Sequence, residues 1–241
     1  MALLQIENVT KAFGGLTAIK DVTLSVSKGQ IKAVIGPNGA GKTTLFNVVS
    51  GFMTPEQGEI CLHGRSISGQ PPEKIAKAGI ARTFQVVKPF SNLTVRENVL
   101  IGALNHGPSL REARAKAEKI LDYIGMREKA DWPAPKLTLE SLKRLELGRA
   151  LASDPALILL DEVMAGLNPT EVEEFIGLIR RIRNDGTTIL LIEHIMHAIL
   201  SLSDEVFVLN YGEKIYEGDT GGLIRDRRVV EAYLGDEGFL M

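Results

Sequence analysis

The stretch Ile31-Lys-Ala-Val-Ile-Gly-Pro-Asn-Gly-Ala-Gly-Lys-Thr-Thr44 decides the fold. Its first five residues form a short apolar run suited to a central strand, and Thr43 to Val49 fits a helix. Between them, Gly36-Pro-Asn-Gly-Ala-Gly-Lys42-Thr43 is a full match to the pattern of a phosphate-cradling loop, set in the strand-loop-helix context that the pattern requires. Glycines let successive backbone N–H groups point inward, and the helix N-terminus adds partial positive charge. Gly36, Pro37, Asn38, Gly39, Ala40, Gly41, Lys42, Thr43 and Thr44 are therefore the candidate phosphate-binding residues. Lys42 reaches the outer phosphates, and Thr43 supplies a hydroxyl for magnesium.

On either side of this stretch, Leu4 to Val9 and Val22 to Val26 alternate roughly by two and read as strands, and Gly58 to Gly64 with Arg65 to Ser68 reads as a hairpin. From Ser91 to Ala152 the pattern turns helical. Ser109 caps a helix over Leu110 to Ile124, Gly125 closes it, and Asp131-Trp-Pro-Ala-Pro135 interrupts the helical pattern. Beyond it, Leu157–Leu160, Thr170–Arg183, Thr188–Ile192 and Glu205–Leu209 alternate strand with helix. Buried strands alternating with helices imply an α/β fold with a parallel sheet covered on its faces.

The 241 residues, 44% hydrophobic and 24% charged, suit one folded unit and exclude disorder throughout. With 28 basic and 30 acidic side chains the formal charge is -2, so no global electrostatic pull toward nucleic acid or anionic lipid exists. The single Cys61 has no partner for an internal disulfide and reads as a packed side chain. Met1 to Glu7 lacks the basic flank and apolar run of a secretory signal, and no window approaches the ~20 apolar residues of a membrane span. A membrane role is expected to pass through a partner.

Phosphoryl transfer to water needs a magnesium-linked carboxylate and a group that orients the attacking water. The run Leu157 to Leu160 ends in Asp161-Glu162, whose side chains diverge at a strand end. Asp161 is thereby suited to the magnesium shell and Glu162 to the general base. With these residues in view, the chain resembles the ATP-binding subunits of ABC transporters over essentially its whole length. Thr83-Phe-Gln85 is similar to that family's Gln loop, which makes Gln85 a magnesium ligand and a sensor of the transmembrane partner. His194, in Ile192-Glu-His194, resembles the switch histidine at the γ-phosphate. Phe13 sits where the family places an aromatic ring under adenine, and Ala165-Gly-Leu-Asn168 resembles the loop that touches the opposite subunit. His63, His106 and His197 have no such context and read as turn, loop and helix-face residues.

The resemblance implies a P-loop NTPase (RecA-like) core with an antiparallel β subdomain and an inserted α-helical subdomain. Residues 1–241 form one domain on this reading, with 1–85 and 155–241 as the core and 86–154 as the helical, signature-bearing part. It also implies ATP and Mg2+ as ligands, transmembrane permease subunits and a second ATP-binding subunit as partners, a solute-binding protein as an indirect one, and no nucleic acid. The place implied is the cytoplasmic side of the cell membrane. Within the family, Gly79–Gln85, Leu93–Val99, Asp161–Pro169 and Glu231–Gly235 look most like the branched-chain amino acid importers. Val86, Val87, Phe90 and Leu93 are the apolar residues expected to meet a helix of the permease.

One segment departs from the family. Its signature, usually Leu-Ser-Gly-Gly-Gln, is here Leu137-Thr-Leu-Glu-Ser141, followed by a helix that keeps Arg149. Thr138 can replace the serine hydroxyl, but Leu139 and Glu140 stand where glycines allow close approach to the partner subunit's nucleotide. Glu140 repels a γ-phosphate unless it points away, so the two sites of a dimer are expected to be unequal and the partner to be a different chain. Asn168 replaces the family's frequent Asp. Three competing readings are a soluble ATPase of this superfamily not coupled to transport, a nucleotide-binding regulator that does not hydrolyse, and a GTPase. The short Gln85-to-Leu137 span without a heptad run disfavours the first, the intact Lys42, Asp161, Glu162 and His194 the second, and the lack of Asn-Lys-x-Asp the third. The Gly221–Met241 tail is compatible with packing, docking or fraying.

Overall fold

Every residue of Ile31–Ile35 is buried, which puts this strand inside a sheet covered on both faces. The computed structural model describes residues 2–233; Leu234 and Gly235 of the Glu231–Gly235 segment lie outside the described residues. In chain order the elements are β1 (Ala2–Phe13), β2 (Leu16–Ser27), β3 (Ile31–Ile35), α1 (Lys42–Val49), β4 (Gln57–Leu62), β5 (Arg65–Ser66) and α2 (Pro72–Ala78). There follow β6 (Ile80–Arg82), α3 (Val95–Ala103), α4 (Leu110–Tyr123), α5 (Leu139–Leu151), β7 (Leu157–Asp161) and α6 (Pro169–Asn184). The chain continues with β8 (Thr188–Ile192), α7 (Met196–Leu202), β9 (Glu205–Asn210), β10 (Glu213–Gly218), α8 (Thr220–Leu223) and α9 (Arg227–Tyr233).

Two sheets are present among these residues: a four-stranded one in the order β2-β1-β4-β5 and a six-stranded one in the order β10-β9-β3-β8-β7-β6. The first is antiparallel. In the second, β3, β6, β7, β8 and β9 run parallel and only β10 is antiparallel, to β9. The carboxyl ends of the parallel strands therefore open on one edge, where ligands bind in open α/β sheets. β1 and β2 are longer than their sequence alternation indicates, because irregularities shift the register. Asn8 and Asp21 adopt φ +50° there, bonded side chain to side chain at 2.6 Å. The β4–β5 turn places both His63 and Gly64 at positive φ, as a two-residue hairpin turn needs.

Alternation along the central strands sorts the core. Val34, Leu157, Leu159, Leu190 and Ile192 join α1 and the small sheet, whereas Ile31, Ala33, Ile35, Ile158 and Leu160 face α6 and α7. A third apolar cluster, from Val95 to Ala152, is built by α3, α4 and α5. Capping boxes start three helices. Ser109 with Glu112 starts α4 at the residue expected from the sequence, Thr94 with Glu97 starts α3, and Asn168 with Glu171 starts α6.

Candidate active site

Loop geometry demands its glycines before any ligand does. Gly36 has φ +151° and Gly41 φ +103°; a Cβ on Gly36 would stand 2.1 Å from the Leu209 carbonyl oxygen, and one on Gly41 2.5 Å from that of Ala18. Lys42, the first residue of α1, donates from Nζ to the carbonyls of Gly36 at 2.7 Å and Pro37 at 3.0 Å, lying across the loop it serves. The first turn of α1 contains no acidic residue, so no carboxylate there offsets its positive end.

A cavity of about 420 Å³ opens at this end and is lined by Lys42, Thr43, Thr44, Gln85, Glu162 and Tyr211, among others. Three segments remote in sequence meet at Glu162. Gln85, after β6, donates from Nε2 to Glu162 Oε2 at 2.6 Å. His194, after β8, places Nε2 at 3.1 Å from Glu162 Oε1. Glu162 itself follows β7 with φ +50°, a left-handed conformation uncommon for a residue with a side chain. Its main chain is held on both sides: its N–H donates to the Ile192 carbonyl at 2.9 Å, and its carbonyl accepts from Lys143 Nζ at 3.1 Å.

Lys143 and Glu193 form the floor beneath this carboxylate, and neither carries a signal in the sequence. Both are buried. Burial pushes Lys143 below its ordinary pKa against the pull of Glu193, Glu146 and Glu162, and pushes the Glu193 carboxyl up to about 7. Glu193 accepts the Met164 N–H at 2.9 Å and thereby fixes the backbone just beyond Glu162. Tyr211, 88% exposed on the β9–β10 turn at φ +47°, is a further lining residue absent from the sequence expectations; its only sequence signal is a Tyr before the turn glycine Gly212.

Other residues named from the sequence fall in different surroundings. Asp161 does not line the cavity: it is buried behind Glu162, its Oδ2 bonded to Arg82 at 2.9 Å, with burial raising its pKa and Arg82 opposing the rise. Phe13 is 46% exposed beneath Lys11 and is not on the cavity wall, which Leu16, Thr17 and Ala18 supply at that edge. Thr138 Oγ1 caps α5, accepting from the Ser141 N–H at 3.3 Å. Glu140 folds back along α5 onto Arg144, which also bonds Glu174 at 2.5 Å, so its charge points away from the helix end. Asn168 caps α6, a task that explains an amide at this position. Of the four apolar residues expected to face a permease, Val86 and Phe90 are exposed, whereas Val87 and Leu93 are half-buried. His197 pairs with Glu173 at 2.5 Å on a helix face.

The donor set fits magnesium. Thr43 and Gln85 bring a hydroxyl and an amide carbonyl to one cavity beside the phosphate loop, and Mg2+ takes few protein oxygens together with those of a phosphate. Among the described residues no cluster of three or more His, Cys, Asp or Glu forms an all-protein cage.

A phosphate loop on a parallel sheet, with Gln85 and His194 closing on the carboxylate after β7, defines the ATP-binding cassette class of nucleoside triphosphatases. Comparison with known proteins agrees. A family profile described as ABC transporter matches residues 19–165. The high-affinity branched-chain amino acid transport ATP-binding protein LivG of Salmonella typhimurium is 38% identical over 250 residues, covering 97% of this chain and 98% of that protein. BraF of Pseudomonas aeruginosa, described in the same words, is 39% identical over 251 residues, again covering 97% and 98%. A crystal structure of the ADP conformation of an ATP-binding cassette of an ABC transporter superposes with TM-score 0.89 at 34% identity, covering 98% of this chain and 100% of that one. The chain belongs to the ABC transporter family of ATP-binding subunits, whose cassettes bind adenine nucleotide and hydrolyse ATP.

Proposed function

We propose that this chain binds ATP with Mg2+ and hydrolyses it at the cytoplasmic side of the membrane to power import of branched-chain amino acids through a transmembrane permease. The observation that carries the chemistry is the meeting of Gln85, Glu162 and His194 at the mouth of the Gly36–Thr43 loop. The substrate class is supported by the names of the relatives, since the solute does not touch this subunit.

The loop amides and Lys42 grip the outer phosphates, Lys42 exchanging the carbonyls of Gly36 and Pro37 for phosphate oxygens. Gln85 and His194 each bond one oxygen of Glu162, and each oxygen retains a second lone pair. Glu162 takes a proton from water as the water oxygen bonds to the γ-phosphorus; the bond to the β–γ bridging oxygen breaks, and ADP and phosphate leave. Magnesium, when bound, would neutralise charge developing on the phosphate oxygens, with Thr43 and Gln85 as the cavity residues that would hold it and Asp161, behind the cavity wall, bearing on its shell.

A second ATP-binding subunit completes the dimer. Thr138 and the start of α5 are offered to the nucleotide held by that partner, and Leu139 and Glu140 make this contribution weaker than glycines would. A different cassette chain, with glycines at these positions, would supply the stronger contribution, and a solute-binding protein delivers the cargo outside. Docking to the permease uses a groove of about 430 Å³ lined by Phe52, Phe84, Phe90, Ile101 and Leu104, among others. Phe52, Phe84 and Phe90 are exposed together there, which marks an interaction surface. Among the described residues no helix is long and apolar enough to cross a membrane, and the occupant on this reading is a permease helix, as the relatives' transport role supports.

Reconstitution of the chain with a permease and a second cassette in proteoliposomes tests this reading. ATP-dependent uptake of radiolabelled leucine is expected. Hydrolysis without any coupled uptake would favour the soluble ATPase, and uptake of another solute alone would overturn the substrate class.

A further inference from the structure

Arg82 is the last residue of β6, and its side chain joins two places that the proposed function uses separately. Its Nη2 donates to Asp161 Oδ2 at 2.9 Å, with both side chains almost fully buried, at 6% and 4% exposure. Nη1 donates to Asn47 Oδ1 at 2.7 Å and to Ser50 Oγ at 2.9 Å, both at the end of the helix that starts in the phosphate loop. Nε is buried without a hydrogen-bond partner among the described residues. The guanidinium lies 5.0 Å from the ring centre of Phe84, 5.7 Å from that of Phe46 and 5.8 Å from that of Phe52. Phe52 and Phe84 meet edge to face at 5.6 Å, and with Arg82 they line the apolar groove.

We propose that Arg82 is a positioning residue that couples the groove to the magnesium carboxylate: a helix seated on Phe52 and Phe84 shifts the guanidinium and thereby reorients Asp161. This rests on the docking and magnesium readings above, and adds a second connection beside Gln85. Several features favour a coupling role over a plain structural ion pair. A buried pair is weak evidence for stability, whereas this one extends from the groove wall to the metal-binding carboxylate through one rigid planar group. The fork is required: lysine keeps the charge but has one compact ammonium and cannot span Asn47, Ser50 and Asp161 while lying among the three rings. Nε is a buried donor without a partner among the described residues, which a side chain serving stability alone does not explain. Coupling through such an element is reciprocal, so what the groove does to the metal site the metal site does to the groove.

The test measures Mn2+ binding by electron paramagnetic resonance, with a non-hydrolysable ATP analogue present, for the isolated subunit and for the assembled permease complex. In the parent protein, assembly is expected to shift half-saturating Mn2+ by at least about threefold. In Arg82→Lys the shift is expected to vanish while the complex still forms. A purely structural role would lower the melting temperature in both states and leave the shift intact, and that result overturns the proposal; so does a parent complex that assembles and hydrolyses ATP but shows no shift. Should Arg82→Lys fail to fold, Phe52→Leu decides: it keeps the groove apolar but removes a ring from the guanidinium, and it should at least halve the shift, an unchanged shift being contradictory. Failure of the parent to assemble with a permease at all would instead count against the proposed function.

Discussion

Lys143 Nζ donates to the main-chain carbonyl of Glu162 at 3.1 Å, so α5 grips the backbone of the residue proposed to activate water. Glu162 holds a left-handed φ of +50°, a conformation that costs roughly 1–3 kcal/mol and persists only where neighbours over-determine it. Lys143, the Ile192 carbonyl and the Met164 N–H bonded to Glu193 are those neighbours.

Lys143→Met removes one of these restraints and leaves buried Glu193 without its nearby cation. Steady-state hydrolysis should show kcat lowered about tenfold with KM for ATP little changed, because the loss falls on an orientation needed at the chemical step. A KM effect with kcat intact would place Lys143 in nucleotide binding instead.

Acid should stabilise the fold through Glu193. Burial raises its pKa from 4.5 to about 7, with Lys143 opposing and Glu162 reinforcing the rise. The folded state therefore holds the proton more tightly than the unfolded one, so this contribution is full below about 4.5 and is lost as pH climbs toward 7. Glu193→Gln keeps an acceptor for the Met164 N–H and does not titrate. Its melting temperature should fall less than the parent's across that interval; parallel curves would contradict the assignment.

The altered signature carries its own expectation. Glu140 is already drawn onto Arg144, so Glu140→Gln alone should hardly change hydrolysis in the reconstituted complex. Leu139→Gly with Glu140→Gly opens the approach to the partner's nucleotide, at a helix cost of up to ~1 kcal/mol per glycine, and should raise both turnover and nucleotide affinity at the opposite site. If neither changes, the two sites are not made unequal by these residues.

Much of this arrangement is legible in local sequence. The Gly36–Thr43 run needs only its own glycines and flanking strand and helix, and Ser109 with Glu112 announces a helix start within four residues. β10 is hidden because it is an edge strand whose Glu213, Lys214 and Glu217 show no apolar alternation, and β6 because three residues are too few to show a period. Arg82, Lys143 and Glu193 are hidden for another reason. A charged side chain reads as solvated until its partner is known, and Arg82 meets Asp161 across 79 positions of chain. Asn168 looks in the sequence like a lost charge, because its identity is visible there but the Glu171 amide it caps is not.

In the proposed mechanism Glu162 acts as the base on a nucleotide gripped by the Gly36–Thr43 loop. Glu162→Gln keeps the size of the side chain but removes its capacity to take a proton. With Mg2+ and ATP, the variant complex should bind nucleotide as the parent does, while phosphate release falls roughly 10²–10⁴-fold. Turnover within a few-fold of the parent, with binding intact, would contradict the account.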